Sequence, residues 1–192
     1  MKTVDRRAFV AGLLAACPDA LVVTGLGSPS YDVYAAGERP GNFYLWGAMG
    51  GAAAVGLGLA LAQPARSVLV ITGDGEQLMG LGALATAAVQ RPSNLTVVVL
   101  DNGHFGETGM QRSHNSLGLN LVAVARGCGI GDAFTACDMD AVQVVAQRVN
   151  GKAGLALVQV LVAADELPRA LPPRDGVYLK NRVRGHLGFA PF

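Results

Sequence analysis

The chain predicts an α/β fold, a three-layer α/β/α sandwich built on a mainly parallel sheet. Three observations carry that expectation. Apolar, β-branched runs alternate with segments of helical period along most of the chain. Residues 68–102, VLVITGDGEQLMGLGALATAAVQRPSNLTVVVLDN, read as strand, tight turn, helix and strand in one unit. Composition agrees: 51% of residues are hydrophobic but only 6% aromatic, with 26 glycines, so the interior is made largely of Ala, Val, Leu and Gly.

Taken in order, a first helix is expected at about 5–16, where Phe9, Val10, Leu13 and Leu14 recur at helical spacing before Pro18-Asp19 stops it. The same stretch, with Arg6-Arg7 and Leu14-Ala15-Ala16-Cys17, resembles a twin-arginine export or lipoprotein signal. The helical reading is preferred because the segment runs straight into a core strand at 21–24. The turn Gly25-Leu26-Gly27-Ser28-Pro29-Ser30 lacks the third glycine of a dinucleotide fingerprint, and Pro29 is expected to interrupt a helix start there. Residues 31–41 read as polar and turn-rich. A small-residue helix at 52–62 follows, whose Gly56 and Gly58 suit close helix–sheet packing or a subunit interface.

Beyond Pro64 the strand–helix–strand unit begins, and its helix, about 76–90, places Leu78, Leu81, Leu84 or Ala85, and Ala88 on one face. Downstream are expected a polar loop at 103–114, a helix around 119–126, a short strand near 134–137, a helix at 139–149 capped by Asp138, and a strand at 156–162. The tail from 166 contains Pro168, Pro172, Pro173 and the basic residues Lys180, Arg182 and Arg184 but no periodicity. It is expected to wrap a partner or to be loose. The division is therefore a domain over 1–165 and a C-terminal extension over 166–192.

At 192 residues the chain suits one domain, and a net charge of +1 from 15 basic and 14 acidic residues leaves no bulk field to recruit nucleic acid or an anionic membrane. Its three cysteines, Cys17, Cys128 and Cys137, have neither CxxC nor Cys/His ligand spacing, so buried free thiols are expected. No stretch has the uninterrupted apolar length of a membrane span. A soluble, cytoplasmic protein is the expectation.

The chemistry gathers at one sheet edge. Parallel strands joined by a helix bring their C-terminal ends together, so Asp74 and Asn102 should be neighbours. A carboxylate and an amide oxygen suit a hard divalent cation, and a helix beginning after a glycine turn suits a phosphate. The pair therefore predicts a metal–diphosphate site. The loop after Asn102 lies at the same edge, and its His104, His114 and Arg112 are candidates for binding a substrate carboxylate or acidic group, or for moving a proton. Each of them reads equally well as a solvated loop residue.

Gly73-Asp74-Gly75, followed after 26 residues by Asn102, resembles the thiamine diphosphate-binding motif, and Gly47-Ala48-Met49-Gly50 upstream resembles that family's cofactor-bending loop. The stretch Asp101-Asn102-Gly103, with Gly106, Thr108, Gly109, Gln111 and His114, looks most like the β subunit of sulfopyruvate decarboxylases and the C-terminal part of phosphonopyruvate decarboxylase. The resemblance implies a thiamine diphosphate-binding fold over 1–165. It implies Mg²⁺ held by the side chains of Asp74 and Asn102 and by the carbonyl of His104. It further implies that Gly73, Gly75 and Glu76 cradle the diphosphate, that Gly47, Ala48 and Met49 bend the cofactor and bond its aminopyrimidine, and that Phe105 and Gly106 belong to the same binding set.

His104 and His114, from their place in the loop at this edge, are the candidate catalytic residues, and the resemblance implies an activating glutamate on another polypeptide, since Glu38, Glu76, Glu107 and Glu166 are in the wrong context. The reading is thus a β subunit of a 2-oxo acid decarboxylase working with an α subunit that carries the pyrimidine-binding domain, in an α₂β₂ or larger hetero-oligomer. A subunit of another thiamine diphosphate carboligase or 2-oxo acid oxidoreductase, and a non-catalytic cofactor-binding module, remain as alternatives.

Overall fold

Strands apolar on both faces must be covered on both faces, and that requirement sets the architecture. Burial is unbroken along β4 (Leu95–Asp101), as it is along β1 (Leu21–Thr24) and through most of β3 (Val68–Gly73) and β8 (Ala156–Leu161). A computed structural model of the chain describes residues 3–190. With β2 (Asn42–Tyr44) and β7 (Asp132–Ala136), these strands form one six-stranded sheet of order β2-β1-β3-β4-β8-β7, parallel throughout, while β5 (His104–Phe105) and β6 (Gln111–Arg112) make a separate antiparallel pair.

Alternate strand residues feed two cores. On one face α1 (Arg6–Ala16), α2 (Ser28–Ala35) and α7 (Ala141–Gly151) cover Val22, Leu69, Ile71, Val98 and Val158. On the other, α3 (Ala52–Ala62), α5 (Leu81–Gln90) and α6 (Leu121–Gly127) cover Val23, Val70, Val97, Val99 and Leu157. The expected three-layer α/β/α sandwich is what forms. Among the described residues no helix is long and apolar enough to cross a membrane.

The first helix is structural in the way its spacing suggested, with Phe9, Val10, Leu13 and Leu14 buried and the arginine pair of the signal-like motif bonded to Asp32. In α3, Gly56 faces the sheet so closely that a Cβ would stand 2.2 Å from Val70 Cγ2, while Gly58 meets open space. One helix thus serves close packing inward and leaves an apolar face outward.

Four local expectations are corrected. Pro29 does not interrupt a helix: it occupies the first turn of α2, where a missing N–H costs nothing, so part of the supposedly turn-rich 31–41 stretch is helical. The helix expected at 76–90 is two, α4 (Asp74–Met79) and α5, broken at Gly80. The cause is a crossing, since a Cβ on Gly80 would lie 2.1 Å from Gly50 O. With that break Ala85 turns to solvent, while Leu84, Ala87 and Ala88 face the core.

Asp138 does not cap α7, which starts at Ala141 after Asp140 with no side-chain cap. The tail is neither aperiodic nor loose over its second half. Asp175 accepts from the amides of Val177 and Tyr178 to start α8 (Gly176–His186), whose Leu179 and Val183 are buried. Arg182 of α8 bonds Asn42 O and pairs with Glu38 at 3.0 Å, so the helix closes over β2.

Candidate functional site

The register fixes the centre of the site. Gly73 pairs with Leu100 across β3 and β4, so Asp74 and Asp101 leave the sheet side by side, with Asn102 next in line. At the switch between β1 and β3, where successive loops diverge, the C-terminal edge opens into a cleft. Leu26, Ser28 and Pro29 after β1, Gly73 to Glu76 after β3, and Asn102, His104, Phe105 and Gly106 after β4 line it, together with Met49.

Asp74 is 2% exposed, and Ser113 Oγ donates to its Oδ2 at 2.5 Å. Burial pushes its carboxyl up to about 7, against the Ser113 bond and with the charge of Asp101 adding to the rise. Asp101 is buried too, accepting from Gly103 N at 2.9 Å, Asn115 Nδ2 at 2.7 Å and Gln159 Nε2 at 2.5 Å. Ser113 is itself anchored by its amide on Gly103 O at 2.7 Å. Two carboxyls are thus held together at the base of the cleft by a fixed polar frame.

Asn102 Oδ1 accepts from His104 N at 2.9 Å, closing a turn. His104 Nδ1 lies 2.8 Å from Asn102 O, and because a carbonyl only accepts, Nδ1 carries the proton. The imidazole is thereby folded back on its own loop. Phe105 lies over the glycine turn, where a Cβ on Gly75 would come 2.6 Å from its ring.

Glu76 turns its buried side chain away from the turn, and its Oε2 accepts from Leu26 N at 2.8 Å, with burial pushing its carboxyl up. Gly25 makes room for it, since a Cβ there would sit 1.6 Å from Glu76 Oε2.

Of the residues singled out by sequence, Met49, Gly73, Asp74, Gly75, Glu76, Asn102, His104, Phe105 and Gly106 meet at this cleft. Gly47 and Ala48 are exposed and do not line it, and Gly47 has φ +70. His114 is exposed, edge-on to Phe105 with ring centroids 6.4 Å apart, and lines neither this cleft nor its neighbour. Arg112 bonds Ser116 and stays outside as well. Sequence reasoning missed Ser113, Gln159 and Asn115 as supports of the carboxyl pair, and Arg6 as a wall of the cleft. None of the four stands in a motif or at a periodic position tied to the site.

The donors present fit a magnesium–diphosphate unit. A buried carboxylate, an amide and a main-chain carbonyl are hard oxygen ligands, and a dication beside Asp74 would oppose the burial that raises its pKa. Among the described residues no group of three or more His, Cys, Asp or Glu is placed to hold a metal. That agrees with a cation completed by phosphate oxygens and water rather than by a protein cage. No side chain caps α4, so its first-turn amides are open to an anion.

Comparison with known proteins gives the family of the chain. Residues 30–160 match the thiamine pyrophosphate enzyme, C-terminal TPP binding domain, family. The chain is 43% identical over 110 residues to the sulfopyruvate decarboxylase subunit beta of Methanocaldococcus jannaschii, covering 57% of this chain and 58% of that relative. It is 49% identical over 125 residues to the phosphonopyruvate decarboxylase of Streptomyces viridochromogenes, covering 65% of this chain and 31% of the other. The match thus spans less than two thirds of either relative's length. The benzoylformate decarboxylase of Polynucleobacter necessarius superposes with a TM-score of 0.71 at 18% identity, over 85% of this chain and 34% of that one, a likeness of fold alone. The matched residues 30–160 carry the glycine turn, Asp74, Asn102 and the Met49 loop, and the chain belongs to the thiamine pyrophosphate enzyme family as its C-terminal TPP binding domain.

Proposed function

We propose that this chain is the diphosphate-binding β subunit of a two-subunit, thiamine diphosphate-dependent 2-oxo acid decarboxylase whose substrate is of the sulfopyruvate or phosphonopyruvate kind. The observation that carries the reading is the convergence of Asp74, Asn102, His104, the start of α4 and Met49 on one cleft. The names of the relatives supply the substrate class.

Asp74, Asn102 and the His104 carbonyl are assigned to Mg²⁺. The amides of Gly75 and Glu76 are assigned to the diphosphate, with Phe105 and Gly106 closing over it. Gly47, Ala48 and Met49 are assigned to the aminopyrimidine side and the bend. When bound, thiamine diphosphate supplies a carbanion at its thiazolium and then an electron sink for loss of CO₂. The chain's own work is to hold and orient. Ser113 and the frame around Asp101 fix Asp74, and Met49 with Leu26 walls the cleft against water. His104, through the ring nitrogen not bonded to Asn102, is assigned proton handling or a substrate carboxylate; His114 would join it only by movement of the loop.

The activating glutamate is assigned to an α subunit carrying a pyrimidine-binding domain, in an α₂β₂ or larger assembly. Glu76 and Glu107 reach the cleft, but Glu76 is committed to Leu26 N and Glu107 to Tyr31 and Arg169. The exposed apolar side chains of α3, α4 and α5 suit that partner, since Val55 and Leu61 of α3, Met79 of α4 and Val89 of α5 stand out at 37%, 47%, 63% and 78% exposure. Free Cys17, Cys128 and Cys137 accord with a reducing, cytoplasmic setting, and residues 166–192 are read as an extension of the 1–165 domain.

The test is co-purification with the native partner, calorimetry with thiamine diphosphate and Mg²⁺, and assay of CO₂ and aldehyde from a 2-oxo acid panel. Binding that Asp74→Ala abolishes, with release of CO₂, is expected. No binding by the assembled complex, or binding indifferent to Asp74→Ala, overturns the reading. A carboligated or oxidised product moves the chain to a different reaction on the same cofactor.

A further inference from the structure

The twin arginines leave a charge unaccounted for. Asp32, fully buried on α2, takes Arg6 Nε on Oδ2 and Arg7 Nε on Oδ1. Two guanidinium groups thus share one carboxylate, which leaves one positive charge in excess. Arg7 is 29% exposed and its NH2 donates to Pro168 O at 2.8 Å, so its charge faces solvent. Arg6 is 7% exposed and lines the cofactor cleft.

The fold explains why so early a residue reaches the site. Val4 N donates to Leu161 O at 2.9 Å and Val4 bridges Val162, so α1 starts at the C-terminal edge of β8. Arg6 also borders a second, more polar cleft shared with Tyr31, Asn102, Met110 and Arg169. That side cleft contains no residue of the Gly73–Glu76 turn. Its Glu107 is paired with Arg169 at 3.4 Å, and Asp165 and Glu166 are exposed. Arg6 therefore stands between the place assigned to the cofactor and the space beyond it. Asp32 engages its Nε, and no partner is found for its terminal nitrogens among the described residues, which leaves a planar fork suited to a tetrahedral or carboxylate oxyanion.

We propose that Arg6 binds the second acidic group of the substrate, the sulfonate or phosphonate beyond the 2-oxo acid, and so selects dianionic over monoanionic 2-oxo acids. This rests on the decarboxylase reading above and names its specificity residue. The other arginines near the edge are less suited: Arg112 is spent on Ser116, and Arg169 is 62% exposed and paired with Glu107.

The test uses the complex with its partner, loaded with thiamine diphosphate and Mg²⁺, and compares Arg6→Gln, Arg6→Lys and, as a control on the same aspartate, Arg7→Gln. Loss of one charge-assisted contact predicts that Arg6→Gln raises KM for sulfopyruvate roughly 10- to 100-fold, with KM for pyruvate and thiamine diphosphate affinity changed less than about threefold. Arg6→Lys, which keeps the charge without the fork, gives an intermediate ratio, and Arg7→Gln leaves the ratio unchanged. Calorimetry with phosphonoacetate, an unreactive dianion, must show binding by the unaltered complex that weakens at least about tenfold in Arg6→Gln. Equal losses on both substrates, no phosphonoacetate binding, or a fall in cofactor affinity with an unchanged ratio overturns the proposal, the last by assigning Arg6 to the diphosphate. A complex that binds cofactor but turns over no 2-oxo acid defeats the decarboxylase reading instead, and phosphonoacetate binding still decides the role of Arg6.

Discussion

Burial, with the Asp101 charge behind it, pushes the Asp74 carboxyl up to about 7, so the folded chain keeps a proton that the unfolded chain releases near 3.8. Between those values the folded state binds more protons, so stability falls as pH rises, by up to about 1.4 kcal/mol per pH unit. Denaturation of the ligand-free chain is expected to show this fall between about pH 4.5 and about pH 7, and Asp74→Asn is expected to remove the Asp74 share of it, leaving the part due to the raised Glu76 carboxyl. A wild-type minus variant difference that is flat across the range refutes the assignment. Mg²⁺ with thiamine diphosphate should cancel the Asp74 share of the slope, because a cation holds that carboxylate ionised.

Single residues also show how unevenly the site was legible. Asp74 and Asn102 could be paired from sequence because a parallel register leaves little freedom in where two strand ends meet. Ser113 lies 39 residues from the carboxylate it bonds, and Arg6 26 from its aspartate, so no local pattern announces either.

The interrupted α4–α5 pair shows an element shaped by a neighbour. As a sequence, residues 76–90 hold one helical period, and a mid-helix glycine is normally a weakness that alanine improves by about 1 kcal/mol. Here Gly50 O occupies the space a Gly80 side chain would need. Gly80→Ala is therefore expected to destabilise by about 1–3 kcal/mol and, by displacing the Met49 loop, to weaken thiamine diphosphate binding. Thermal unfolding and calorimetry check both, and a stabilised variant with unchanged affinity would contradict the crossing. At the same scale α8 escaped notice because two buried positions, Leu179 and Val183, are a faint signal among prolines and basic residues. Its cap, Asp175, was there to be read.

Over the whole molecule, the cleft takes its walls from β1, β3 and β4 loops, from α1 and, in its side cleft, from the strand-exit segment 165–169, so nearly every crossover of the sheet contributes. Apolar side chains left without cover stand on α3, α4 and α5. Val89→Glu is expected to leave the chain's own stability within about 0.5 kcal/mol, as a surface change does, while weakening assembly with the α subunit. Sedimentation of the mixed subunits measures it, and undiminished assembly would place the partner elsewhere.

Apolar alternation and turn chemistry are local and repeat along the chain, so the sequence by itself determined the parallel three-layer sandwich, the glycine turn with its two oxygen ligands, and the cofactor family those residues resemble. Only the tertiary structure decided which polar groups stand behind Asp74, where a helix must break for a passing loop, and that Arg6 of a signal-like motif reaches the cleft. Those outcomes depend on which distant segments share one volume, a property of the packed sheet that no window of neighbouring residues contains.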